Sequence, residues 1–167
     1  MLVRILFLLI VLTTTAVVAA AQRPMGDPSK EENQMLEEMK ARWEVKYAEK
    51  ERLENLDRAR EAAQLGSELY NTYSHNKTFS SVERKKLDRL EKVTKKIRNQ
   101  AGGSDGDVMI EDMPSQAEPA LKRLAEMSND LRKAVEKTPR QVVSAAVIER
   151  ANEVLEVIRY VRTFTAQ

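Results

Sequence analysis

The chain has 167 residues, enough for one domain with a hydrophobic core, and its net charge of +2 is too small to indicate nucleic acid as a partner. Charged residues make up 32% of it and aromatic residues 5%, with five glycines and five prolines, which is typical of long solvated helices and not of a sheet protein. Cysteine is absent, and this excludes disulfides, thiolate metal sites and cysteine nucleophiles.

Residues 1–21 have the pattern of an export signal. Arg4 supplies a positive charge near the start, an apolar run follows at 5–12, and three alanines end the stretch as a cleavage site. The alternative is a membrane anchor formed by residues 2–21, because the stretch nearly reaches the ~20 residues of a membrane span. We predict cleavage, a linker at 22–28, and export to a bacterial periplasm or the extracellular space.

Apolar residues at helical spacing predict a long first helix over residues 29–73, in which Gly66 is a weak point. Its apolar stripe comprises Leu36, Met39, Trp43, Tyr47, Leu53, Leu56, Ala59 and Ala63. We expect the stripe to pack in the core. The alternative for Trp43 and Tyr47 is an interface anchor, since aromatic residues dominate binding hot spots.

A second helix is predicted over residues 81–100. Ser80 and Glu83 have the spacing of a capping box, and two glycines at 102–103 end the pattern. The loop at 101–118 that follows contains five acidic residues and no basic one.

Two more helices are predicted, at 119–137 and 139–164. The first opens at Pro119 and has apolar residues at heptad spacing. For the second, Thr138 is the predicted N-cap and Pro139 the first helical residue, and its apolar arc is wider than one partner helix requires. The predicted fold is therefore all-α, an antiparallel bundle of three to four helices in a single domain at 29–165.

The second helix is basic and amphipathic, because residues 83–98 include eight basic and three acidic side chains. On a helical wheel, one side holds a set that we call the basic face: Arg84, Lys85, Arg89, Lys92, Lys95, Lys96 and Arg98. Our first interpretation is a solvated outer face with ordinary i,i+4 ion pairs. The alternative is a surface for anionic lipid or an acidic envelope polymer. No aromatic residue interleaves with the face to stack bases, which argues against nucleic acid.

The acidic loop suggests a hypothesis of its own, that its carboxylates cover the basic face. The side chains concerned are Asp105, Asp107, Glu111 and Asp112. A calcium site is disfavoured, because the loop lacks the glycine and the final glutamate of a calcium-binding loop.

No residue pattern indicates a catalytic, cofactor or metal site. Met35 and Met39 suit a soft ion by spacing, but we interpret them as gap-filling core residues. His75 is the only histidine and lies in a polar turn. We therefore expect an exported, non-enzymatic interaction, adaptor or structural module of the cell envelope, whose partner is an unknown protein or a second copy. The alternative is a peripheral membrane or polyanion-binding protein that acts through residues 84–98.

Overall fold

The computed structural model describes residues 30–104, 106, 110, 112–139 and 143–165. Within these ranges the regular structure is entirely helical, which confirms the predicted all-α class. The helices are α1 (Lys30–Asn76), α2 (Ser81–Gln100), α3 (Ala117–Lys137) and α4 (Ala145–Thr165). The predicted export signal at 1–21 and linker at 22–28 lie outside the described residues.

The chain divides into two compact units, Met1–Trp43 and Glu44–Gln167, with the boundary inside α1. Of the first unit, the structure describes the helical residues 30–43, and every side chain from 32 to 43 is exposed. The second unit contains the remainder of α1 and the helices α2, α3 and α4.

Within the second unit, α1 lies antiparallel to α2. Glu61 of α1 binds Arg89, with 2.6 Å between Oε1 and Nε, and Glu68 binds the ammonium of Lys86 at 2.7 Å. From the first pair to the second, the residue number rises along α1 and falls along α2, so the two helices run in opposite directions. The Ser80 capping box that starts α2 is present as predicted, because Ser80 Oγ accepts from Val82 N at 3.1 Å and Glu83 accepts from Ser80 N at 3.0 Å.

Helix α1 is also antiparallel to α3. Gly66 lies against Ser128, and Lys77, just beyond the end of α1, binds Glu118 at 2.5 Å near the start of α3. Because α2 and α3 both oppose α1, they run in the same direction. The connection at 101–116 must therefore return the chain from one end of the bundle to the other, as a crossover connection does.

Helix α4 packs against both α2 and α3. It is antiparallel to α2, since Arg162 binds Asp88 at 2.8 Å while Asn152 lies beside Arg98. Its buried face is wide, as predicted, and comprises Val147, Ala151, Val154, Leu155, Val157, Ile158 and Val161. The facing core side chains from α1, α2 and α3 include Leu69, Leu90, Ile97, Leu124 and Leu131.

The predicted role of Thr138 as the N-cap of the fourth helix is wrong. Thr138 instead ends α3, because its amide donates to Val135 O at 3.2 Å and its hydroxyl donates to Ala134 O at 2.8 Å. A threonine hydroxyl that bonds a carbonyl one turn back competes with capping of a following helix. Pro139 accordingly follows a helix end and does not open a helix.

The fourth helix begins at Ala145, so its predicted start at residue 139 is also wrong. Ser144 supplies the first contacts, since its carbonyl accepts from Ile148 N at 3.0 Å and its hydroxyl from Val147 N at 3.4 Å. Residues 140–142 lie outside the described part of the chain. The other predicted helix limits differ by a few residues from those observed: α1 extends to Asn76 and α3 begins at Ala117.

Gly66 does not interrupt α1, and its missing side chain has a packing role. A Cβ built there would lie 2.9 Å from Ser128 Oγ and 3.2 Å from Ala125 Cα. Both distances are too short for a relaxed methyl contact, and the second involves backbone that cannot move alone. The glycine therefore permits the close approach of α1 and α3.

We expect Gly66→Ala to lower the free energy of unfolding by about 1 kcal/mol. Overpacking costs ~1–3 kcal/mol, and the higher helix propensity of alanine offsets part of that cost. Chemical denaturation measures the change. The control is the exposed neighbour Ser67→Ala, which we expect to stay within about 0.5 kcal/mol of the parent. An increase in stability for Gly66→Ala would show that the contact is not tight.

Candidate functional site

Part of the predicted basic face is exposed. The side chains of Arg84, Lys85, Lys92 and Lys96 are solvent-accessible on α2, and in the described part of the chain none of them forms an ion pair. The opposite side of α2 carries the buried side chains of Leu87, Leu90 and Ile97, which belong to the core. These four cations are the portion of the basic face that is available to a partner, and we call them the free cations.

Two other members of the basic face are neutralised by acids. Arg89 donates to both carboxylate oxygens of Glu61, at 2.6 and 2.9 Å, and this contact raises the pKa of Arg89. Lys95 binds Glu91 one turn earlier on α2 at 2.6 Å. The Arg89 contact joins residues far apart in sequence, so the i,i+4 pattern of α2 does not reveal it.

The prediction that Arg98 belongs to an exposed basic face is wrong, since only 4% of it is accessible. Gly102 ends α2 with φ +84°, and the amide of Gly103 then donates to Arg98 O at 3.0 Å. This turn brings the chain back over the side chain: a Cβ on Gly103 would lie 2.9 Å from Arg98 Cγ. The guanidinium Nη1 lies 3.4 Å from Asn152 Oδ1 of α4.

Arg162 of α4 is a cation at this surface that the sequence analysis missed. Its Nη2 binds Asp88 at 2.8 Å and also binds Glu91, so one guanidinium joins α4 to α2. Burial acts to raise the pKa of Glu91, but hydrogen bonds from Lys95 and Arg162 outweigh it and hold that pKa below its ordinary value. No local spacing relates Arg162 to these acids, because they are more than 70 residues away in sequence.

The masking hypothesis for the acidic loop stays a prediction for Asp105, Asp107 and Glu111, which lie outside the described residues. Asp112 lies beside α3, where its backbone carbonyl accepts from Arg123 Nη1 at 2.8 Å. Gly106, in the same loop, lies near Asn152 of α4. These described parts of the loop contact α3 and α4, in keeping with a crossover connection.

The second candidate surface is a row of large apolar side chains that we call the α1 stripe: Met35, Leu36, Met39 and Trp43. Their exposed fractions are 64%, 50%, 49% and 69%, so the expectation that they pack in the core is wrong. Leu36, Met39 and Trp43 are spaced i, i+3 and i+7, which places them on one side of the helix. An apolar stripe becomes core only where another helix covers it, and the pattern alone does not say whether one does.

Tyr47 is also exposed, at 63%, and its pKa is raised chiefly by hydrogen bonding to Glu51.

His75 lies at the end of α1, where its Nδ1 is 2.7 Å from Asn71 O, and it is exposed. The described residues include no group of three His, Asp or Glu side chains arranged to hold a metal ion.

None of the helices in the described ranges is both apolar and long enough to cross a bilayer.

Comparison of the chain with protein-family models, with curated proteins and with solved structures finds no match.

We expect Arg162→Met to lower the free energy of unfolding by about 1 kcal/mol at neutral pH, because Arg162 is partly exposed and solvent screens its ion pairs. A carboxyl whose pKa is lowered on folding stabilises the fold above its ordinary pKa, 4.5 for Glu91, and the effect is lost as the pH falls through the folded value. The difference between variant and parent should therefore shrink in acid.

Denaturant titrations at neutral and acidic pH measure this difference. The matched control is Arg159→Met, whose partner Glu156 lies on the same helix at 2.9 Å, and we expect a smaller loss from it. An equal loss for Arg162→Met at both pH values would assign the effect to packing of the arginine stem and not to its charge.

Proposed function

We propose that this chain is an exported, non-enzymatic interaction module of the cell envelope, which binds a protein partner or a second copy of itself through the α1 stripe. The observation that carries the proposal is the exposure of four large apolar side chains, one of them tryptophan, on one short stretch of helix. The sequence of residues 1–21 supports export, and the absence of cysteine suits an envelope protein that is stable without disulfides.

Exposed apolar side chains gathered in one place are typical of interaction sites, whereas single ones are ordinary on protein surfaces. Burial of apolar surface yields about 25 cal/mol per Å², so covering a tryptophan and three long aliphatic side chains contributes several kcal/mol to association. The i, i+3, i+7 spacing of Leu36, Met39 and Trp43 is that of a helix that docks in an apolar groove or against another helix. Trp43 is the expected anchor, since tryptophan is enriched in hot spots.

A photo-crosslinking amino acid at position 43 tests this proposal in intact cells. We expect a crosslinked product whose mass exceeds that of the single chain, at twice that mass for self-association or at another mass for a different protein. Mass spectrometry of the product identifies the partner. Met39→Ala in the same chain should weaken the crosslink, because it removes apolar surface beside position 43.

The control places the same amino acid at Ala41, which is also exposed but lies about 160° around the helix from Trp43 and about 120° from Met35. Equal crosslinking at both positions, or none at position 43, would contradict an interface at the α1 stripe.

A second candidate function is binding to an anionic surface, and the observation that favours it is the exposure of the free cations Arg84, Lys85, Lys92 and Lys96. Each contributes up to about 1 kcal/mol beside an anionic lipid surface. The neutralisation of Arg89 and Lys95 and the burial of Arg98 reduce the basic face below what the sequence indicated. The α1 stripe is therefore the better-supported surface.

Co-sedimentation with phosphatidylglycerol vesicles tests the second function. If it holds, the double change Lys92→Gln and Lys96→Gln should weaken binding about tenfold at low ionic strength, and added salt should weaken binding of the parent. The matched control is Lys122→Gln with Lys137→Gln, which removes the same charge from exposed positions on α3. Equal losses from both pairs would contradict a specific role for the free cations.

A further inference from the structure

The second unit contains a cavity of about 330 Å³ that neither surface uses. It is open to solvent on one side and is lined by residues 48–56 of α1, by 99–102 at the end of α2, and by side chains from the end of α3 to the first turn of α4. Its volume lies at the lower end of the range for small-molecule sites, so it suits a ligand the size of an amino acid or dipeptide.

One wall of the cavity is apolar. Leu56 of α1, Val135 of α3, and Val143 and Val147 at the start of α4 contribute to it. Val135 and Val147 are almost fully buried, whereas Leu56 is half-buried and Val143, just before α4, is exposed, so the wall runs from the core to the surface. An apolar ligand group of branched aliphatic shape would complete the packing there.

Arg52 supplies a cation at the same cavity. Its Nη1 donates to Thr138 O at 2.5 Å, and in the described part of the chain the guanidinium has no carboxylate partner. Arg58, nearly two turns further along α1, differs in that it binds Glu54 at 2.7 Å. The Nε and Nη2 donors of Arg52 remain to bind a ligand carboxylate, for which the planar guanidinium is well shaped.

Asn55 supplies an acceptor. It lines the cavity, and its Oδ1 is buried without a hydrogen-bond partner among the described groups. Buried polar atoms are nearly always paired, and leaving one unpaired costs stability. Asn55 follows Arg52 by three positions, so the two side chains share a face of α1. Because this oxygen has almost no accessible surface, the Asn55 side chain must turn toward the cavity before a ligand N–H can satisfy it.

Glu51 also lines the cavity and contributes a negative charge beside Arg52. The pair of opposite charges disfavours a bare anion and favours a ligand that combines a carboxylate with a nitrogen donor. The cavity therefore combines a cation, an anion, an unpaired amide oxygen and an apolar wall. Together they specify the chemical groups that a ligand must carry.

We propose that this cavity binds a small molecule with a carboxylate, an N–H group and an apolar side chain, the chemistry shared by apolar amino acids and short apolar peptides. The carboxylate binds Arg52, the N–H group binds Asn55 and Glu51, and the side chain packs on Leu56, Val135 and Val147. The proposal is independent of the α1 stripe and of the free cations.

Titration of the purified protein with leucine and with leucyl-leucine, followed by NMR of the valine methyl groups, tests it. We expect shifts at Val135 and Val147 with leucine for a free amino acid, or with leucyl-leucine alone for a peptide. The amide of the probe that binds, leucinamide or leucyl-leucinamide, lacks the carboxylate and should bind about tenfold more weakly than that probe. This comparison requires no variant and so does not depend on whether a substitution folds.

Arg52→Gln should reduce the affinity for the bound probe by about tenfold. The control is Arg60→Gln, an exposed arginine of α1 outside the cavity, which should bind as the parent does. The absence of methyl shifts with both probes, equal affinity for the bound probe and its amide, or equal losses from Arg52→Gln and Arg60→Gln would each overturn the proposal.

Discussion

Burial of the wide apolar face of α4 is the interaction on which the second unit depends. Residues such as Val154, Val157 and Ile158 are completely buried because α4 packs against both α2 and α3. Helix α1 completes the arrangement from the other side, through its tight contact with α3 at Gly66. Since α2 and α3 run in the same direction, the chain needs the long connection at 101–116, and the acidic loop thereby acquires a structural role.

Ion pairs between helices determine how much of the basic helix remains available for function. Glu61 binds Arg89 from α1, while Arg162 of α4 binds Asp88 and Glu91, the second of which also pairs with Lys95. With Lys95 also paired and Arg98 buried, four exposed cations remain without an ion pair in the described part of the chain, in place of the seven that a helical wheel indicates. A polyanion would therefore meet a weaker surface than the composition of α2 indicates.

The three candidate regions make different demands on a partner. The α1 stripe requires an apolar protein surface, because its side chains have few polar groups to direct a small ligand. The free cations require an anionic surface and give a salt-dependent interaction. The cavity opens at the surface of the second unit, and its proposed ligand would be selected by shape and by paired polar groups, as at small-molecule sites. A small ligand there would join α1 to the segment between α3 and α4.

The sequence by itself determined the all-α class, the capping box and limits of α2, and the wide face of α4, because each follows from local hydrogen bonding or from apolar spacing within one helix. Only the tertiary structure decided that Arg98 is buried, that Trp43 is exposed and that Thr138 ends α3. It also decided the crossover and the cavity beside Arg52. Helical periodicity reports that a side chain is apolar or charged, whereas its burial and its partner depend on residues that are distant in sequence.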